Sequence, residues 1–125
     1  MANITLQPQV LDLALYAGDG AEFRLICTDS ADVRVPITGT VMAQVRVDRT
    51  AAEDPVVEFA SDLTDAAEGI ILLSLTGAQT QQMMAHPSTV KEKFSGVWDV
   101  QWTPTGEEAR TLCQGKIDCV ADVTR

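Results

Sequence analysis

The sequence predicts an all-β protein: an antiparallel β-sandwich of about seven to eight strands, immunoglobulin-like in style, or else a barrel, with one short helix near residues 76–84. Three observations carry that prediction. Apolar residues recur at every second position along most of the chain, the period of a strand with one buried face. Gly, Pro and Asp punctuate the chain at intervals of about ten residues, which suits strands joined by turns. Only the stretch after Thr76 strings helix-forming residues together, with no Pro and no Gly beyond Gly77 until Pro87.

In order along the chain, Val10 to Tyr16 is the first strand, with Leu11, Leu13 and Leu15 on its inward face. Gly18-Asp19-Gly20 is a turn, and Glu22 to Cys27 alternates again with Phe23, Leu25 and Cys27 inward, so the two segments form a hairpin or two strands linked by a corner. Val33 to Ile37 is a short extended piece that Pro36, lacking an N–H, confines to an edge or a sheet switch. Val41, Ala43, Val45 and Val47 mark the inner face of the clearest strand, opposite Met42, Gln44, Arg46 and Asp48.

Residues 48–55 form a polar loop, Val56 to Phe59 a strand, and Ser61 to Asp65 another loop. The run Ile70-Ile71-Leu72-Leu73-Ser74-Leu75 reads as a central strand buried on both faces. Thr76 is the N-cap of the helix, and residues 85–93 are a loop carrying His86, Lys91 and Lys93. Phe94 to Thr103 alternates, with Trp98, Val100 and Trp102 on one side and both tryptophans half-buried. Two closing strands follow, over residues 109–112 and 115–121. One domain spans residues 10–125, preceded by an arm over residues 1–9.

Composition sets limits on function. With 46% apolar and 22% charged residues the chain is a folding one, and no apolar run reaches the length of a transmembrane helix, so no membrane partner is expected. Nine basic against eighteen acidic residues, without a basic cluster, predict no nucleic-acid binding. The opening residues lack the basic flank and apolar centre of a signal peptide, which predicts synthesis in a cytosol.

No catalytic set is expected. His86 stands alone, so it builds neither a histidine metal site nor, without a nucleophile elbow, a Ser-His-Asp triad. Gly18-Asp19-Gly20 leads into a strand and opens no helix, so it is a turn and cradles no phosphate. Cys27, Cys113 and Cys119 lack zinc or redox spacings and read as small buried apolar residues. The acidic groups Asp29/Asp32, Glu53/Asp54 and Asp62/Asp65/Glu68 lack the spacing of a calcium loop. No cofactor and no metal are expected. Trp98 and Trp102 read as core, with a sugar-stacking platform as the alternative.

The order of these elements resembles a tailed-bacteriophage β-sandwich family of structural proteins. Tyr16-Ala17-Gly18-Asp19, Ile37-Thr38-Gly39 and Ala43-Gln44-Val45-Arg46 are similar to its Tyr-x-Gly-Asp turn, Leu-Thr-Gly turn and Ala-x-Ile-Arg strand. Gly69 to Thr80, Gly96 to Trp102 and Cys113 to Val120 are similar to its later Gly-x-Ile-x-Leu-x-Leu-Thr-x-x-Gln-Thr, Gly-x-Tyr-x-Tyr-Asp-Leu and Leu-x-x-Gly-x-Val-x-Val stretches. Ile37 replaces the usual leucine and Trp98 the first tyrosine, both keeping apolar character.

The resemblance implies a non-enzymatic virion component, made in the cytoplasm of a bacterial host. It implies a minor capsid or decoration protein bound to the head shell, or else a tail, baseplate or tail-fibre accessory; a carbohydrate-binding module is the reading from another class. Its partners would be the major capsid protein or tail and baseplate proteins, with a trimer or ring of its own copies also compatible. Expected contact residues are Ile4, Leu6 and Pro8 in the arm, Val33 and Val35 on the exposed strand, and Arg49, Pro55, His86, Lys91 and Lys93 in two loops.

Overall fold

A computed structural model describes residues 9–29, 31–48 and 55–121. It is all-β, with two sheets. The larger sheet is built from β1 (Gln9–Val10), β2 (Leu13–Tyr16), β4 (Thr40–Arg46), β5 (Val57–Glu58), β8 (Lys93–Thr103) and β9 (Arg110–Val120). Its order is β1-β9-β8-β4-β5, and β2 joins β9 beside β1. The smaller sheet has the order β3-β7-β6, from β3 (Ala21–Ile26), β7 (Ile70–Leu75) and β6 (Ala60–Asp62).

The sheets meet through apolar side chains that alternate along the strands. Ala43 and Val45 of β4, Ile71 and Leu73 of β7, and Val100 and Ile117 of β8 and β9 are fully buried in one shared cluster. Phe59 links the layers: its ring lies 6.1 Å from Phe23 of β3 and 5.7 Å from Trp98 of β8. The chain itself changes sheets here. Val57 pairs with Val45 in the larger sheet, and Ala60 pairs with Ser74 in the smaller one, with Phe59 turned inward between them. β6 therefore occupies part of the stretch expected to be loop, because a short edge strand with a single inward residue, Ser61, leaves no alternating apolar signal.

Every pairing within and between β3 to β9 is antiparallel, but β1 and β2 run parallel to β9. After β2 the chain crosses to the other sheet, so β2 and β3 are linked by a corner. The expected first strand is split at Leu11-Asp12. The Asp12 carboxylate accepts the Lys116 N–H at 3.0 Å, standing in for a backbone carbonyl, and the Leu11 carbonyl accepts the Trp98 indole N–H at 2.8 Å. A Cβ at Gly115 would sit 2.0 Å from that carbonyl oxygen, so only glycine lets the two backbones come this close. With the carbonyl committed to the core, the Leu11 side chain points out and is 45% exposed, contrary to the expected inward face.

Trp98 and Trp102 are not half-buried but 2% and 1% exposed. Phe94, Trp98, Val100 and Trp102 share the inner face of β8, and each indole N–H is satisfied, that of Trp102 by the Thr38 carbonyl at 2.6 Å. The two expected closing strands are the single strand β9. Val100 pairs with Cys113 and Gln101 with Thr111, leaving Leu112 as the extra residue of a β-bulge, so Leu112 and Cys113 are both buried and the alternation changes phase.

Residues 33–37 form no strand. Thr28 and Arg34 make an isolated bridge, the Val35 N–H donates to the Cys27 carbonyl and the Ile37 N–H to the Ala66 carbonyl, and Pro36 between them stops a ladder from continuing. The helix is as expected: α1 (Gly77–Ala85) starts with a capping box, Thr76 Oγ1 accepting the Gln79 N–H and Gln79 Oε1 accepting the Thr76 N–H.

Candidate interaction surfaces

Strand directions define two ends of the molecule. At one, the turn after β2, the end of β7, helix α1 and the start of β8 come together; at the other, the segment 28–38 bridges from β3 to β4. The expected contact residues divide between them. Ile4, Leu6, Pro8 and Arg49 lie outside the described residues. Val33 belongs to the end away from the helix and is 59% exposed. Val35 is a correction: at 3% exposure it is a core residue, held inward by its hydrogen bond to Cys27, and offers no surface.

The remaining four group at the helix end. Pro55 is half-buried just before β5. His86 is the C-cap of α1 and half-buried; its Nδ1 accepts the Ser88 N–H at 3.1 Å, and its ring stands edge-on to Phe94 at 5.8 Å. Lys91 is exposed with a positive φ of 53°, and Lys93, which opens β8, reaches Asp118 at 3.6 Å. Both charges of that pair are open to water, so it contributes little to stability.

Other exposed apolar residues were not among the expected contacts. Val10, Leu11 and Tyr16 mark the free edge of β1 and β2. On the outer face of the smaller sheet, exposed Ile26 pairs with half-buried Ile70, and half-buried Leu72 pairs with both Arg24 and Asp62. The signal for that face was present in the sequence as the Ile70–Leu75 run, but a continuous apolar run does not say whether the second face is covered by the same chain.

The titratable groups explain themselves locally. Burial pushes the thiols of Cys27, Cys113 and Cys119 above the ordinary cysteine value, which keeps them protonated, as small apolar core residues should be. The Thr64 hydroxyl and N–H, at 2.6 and 2.9 Å from Asp62 Oδ1, hold the Asp62 carboxyl below its ordinary value. Among the described residues no three of His, Cys, Asp and Glu gather where they could hold a metal ion, and no helix is long and apolar enough to cross a membrane.

The motif stretches meet in space. Thr80 Oγ1 accepts the Gly18 N–H at 2.9 Å and donates to the Asp19 carbonyl at 3.1 Å, tying the turn after β2 to α1. A Cβ on Gly77 would lie 2.4 Å from the Gly18 carbonyl oxygen, so the helix start and the turn are in backbone contact. No protein-family model matches the chain, and no curated protein does either.

Proposed function

We propose that this chain is a non-enzymatic structural protein of a tailed-phage virion, a minor capsid or decoration protein bound to the head shell. The observation that supports the reading is the contact between its Gly18-Asp19 turn and its Gln79-Thr80 helix start. These belong to two stretches that carry the resemblance, 61 or more residues apart in sequence, and they are joined by the two hydrogen bonds of a fully buried Thr80.

The carbohydrate-binding alternative loses its expected platform, since neither tryptophan ring has an exposed face on which a sugar could stack. The acidic net charge of −9 suits a protein displayed at high density on a particle surface. Quantitative mass spectrometry of purified particles tests the proposal. Copies comparable in number to the major capsid protein are the expected result. A handful of copies per particle would move the protein to the tail or baseplate, and absence from the particle would overturn the virion assignment.

A further inference from the structure

β7 carries apolar residues on both faces, and among the described residues only one of them is fully buried. Ile71, Leu73 and Leu75 are buried against the larger sheet, whereas Ile70 and Leu72 point outward and are half-buried, with Ile26 beside Ile70 at 53% exposure. A strand with two apolar faces belongs in the middle of three layers, and the described residues form only two sheets.

What covers the face is indicated by its charges. Directly opposed residues of antiparallel strands put their side chains on the same face, so Arg24, Leu72 and Asp62 form one row across β3, β7 and β6. Strands are spaced ~4.8 Å apart, which separates the two charges by roughly 10 Å and leaves Leu72 between them. Arg24 makes no hydrogen bond or ion pair among the described residues, and Asp62 uses one oxygen on Thr64.

We propose that two copies of this chain pair face to face through this sheet, about a two-fold axis running along β7. Such an axis sets β3 of one copy over β6 of the other. Leu72 then meets its own counterpart, Ile70 does the same, and Arg24 of each copy stands over Asp62 of the other, forming two identical ion pairs at the rim of an apolar strip. A two-fold contact must be self-complementary, and a row that reads positive, apolar, negative satisfies that condition. The pairing is independent of where in a particle the protein resides.

Sedimentation velocity on the full chain, over a concentration series reaching ~0.1 mM where even a weak dimer is populated, tests the pairing. The unaltered protein is expected to dimerise. Arg24→Asp and Asp62→Arg should each weaken the dimer by about a hundredfold or more, because each puts like charges together twice. The double variant Arg24→Asp/Asp62→Arg should restore it, and Lys116→Asp on the outer face of the larger sheet should leave it unchanged. Circular dichroism melts check that each variant is folded. A monomer throughout the series, a dimer that both single reversals leave intact, a double variant as monomeric as the single ones, or loss of the dimer on Lys116→Asp would each overturn the proposal.

Discussion

The outer faces of the two sheets are built differently. On the larger sheet, the outward residues of the three long strands are mainly polar or charged: Gln44 and Arg46 on β4, Asp99 and Gln101 on β8, Gln114, Lys116 and Asp118 on β9. On the smaller sheet, the outward positions of the central strand are Ile70, Leu72 and Ser74, with charges confined to the edges. The first face is finished by water, whereas the second has the composition of an interface core with a polar rim. The comparison teaches that the two sheets, which share one core, differ on their outsides: the larger presents mainly polar side chains and the smaller an apolar strip between charged edges.

The sharpest way to break this comparison uses two neighbours on β7. Leu73→Ala removes a fully buried side chain and should cost about 2–5 kcal/mol in chemical denaturation of the dilute monomer. Leu72→Ala, one residue away and facing out, should cost the monomer less than about 1 kcal/mol while weakening the dimer. Equal costs at both positions in dilute protein would mean that the outer face is already covered within one chain.

A smaller effect concerns the helix that closes the end of both sheets. Thr76→Ala removes the hydroxyl half of the capping box and should lower stability by about 1 kcal/mol, read as a shift in the urea midpoint with unchanged slope. No loss would mean that the tertiary contacts of α1, through Thr80 and Met83, hold the helix start without its cap.

The smallest effect is electrostatic. The Asp62 carboxyl is depressed in the folded state, so its hydrogen bonds to Thr64 contribute stability above the unfolded value of 3.8, and that contribution is lost as pH falls through the folded value. In dilute solution Asp62→Asn should therefore be slightly less stable than the unaltered protein near neutral pH, and the two should converge below pH 3.8. A difference that persists at lower pH would assign the effect to something other than the carboxylate.

Much of the fold was legible because period two is a local signal. Val41 to Val45, Phe94 to Thr103 and Ile117 with Cys119 fell on the faces that the alternation assigned to them, and Thr76 with Gln79 fixed the helix start within a single turn. The failures share a cause. Leu11 points out because Trp98, far along the chain, takes its carbonyl; Val35 points in because Cys27 and Ala66 hold its segment; and β9 is continuous because a bulge at Leu112 absorbs the phase change that reads as a break. Each depends on a partner outside the few residues over which alternation is read.

The candidate surfaces were less legible than the core. Of the expected contacts, Val33, Lys91 and Lys93 are exposed, Val35 is buried, and the outward row of Arg24, Leu72 and Asp62 was not foreseen. Its members are spread over three segments, and only strand register brings them together.

By itself the sequence determined that this chain is all-β, where β3, β4, β7, β8 and its helix lie, and that its cysteines belong to an apolar interior. Those properties follow from alternation, capping chemistry and composition, which act over a few residues. Only the tertiary structure decided that β1 and β2 run parallel to β9, that Phe59 carries the chain from one sheet to the other, and that the described residues leave the outer apolar positions of β7 half-buried. Pairing direction, register and coverage depend on which strands become neighbours, and that is set by the packing of the whole chain.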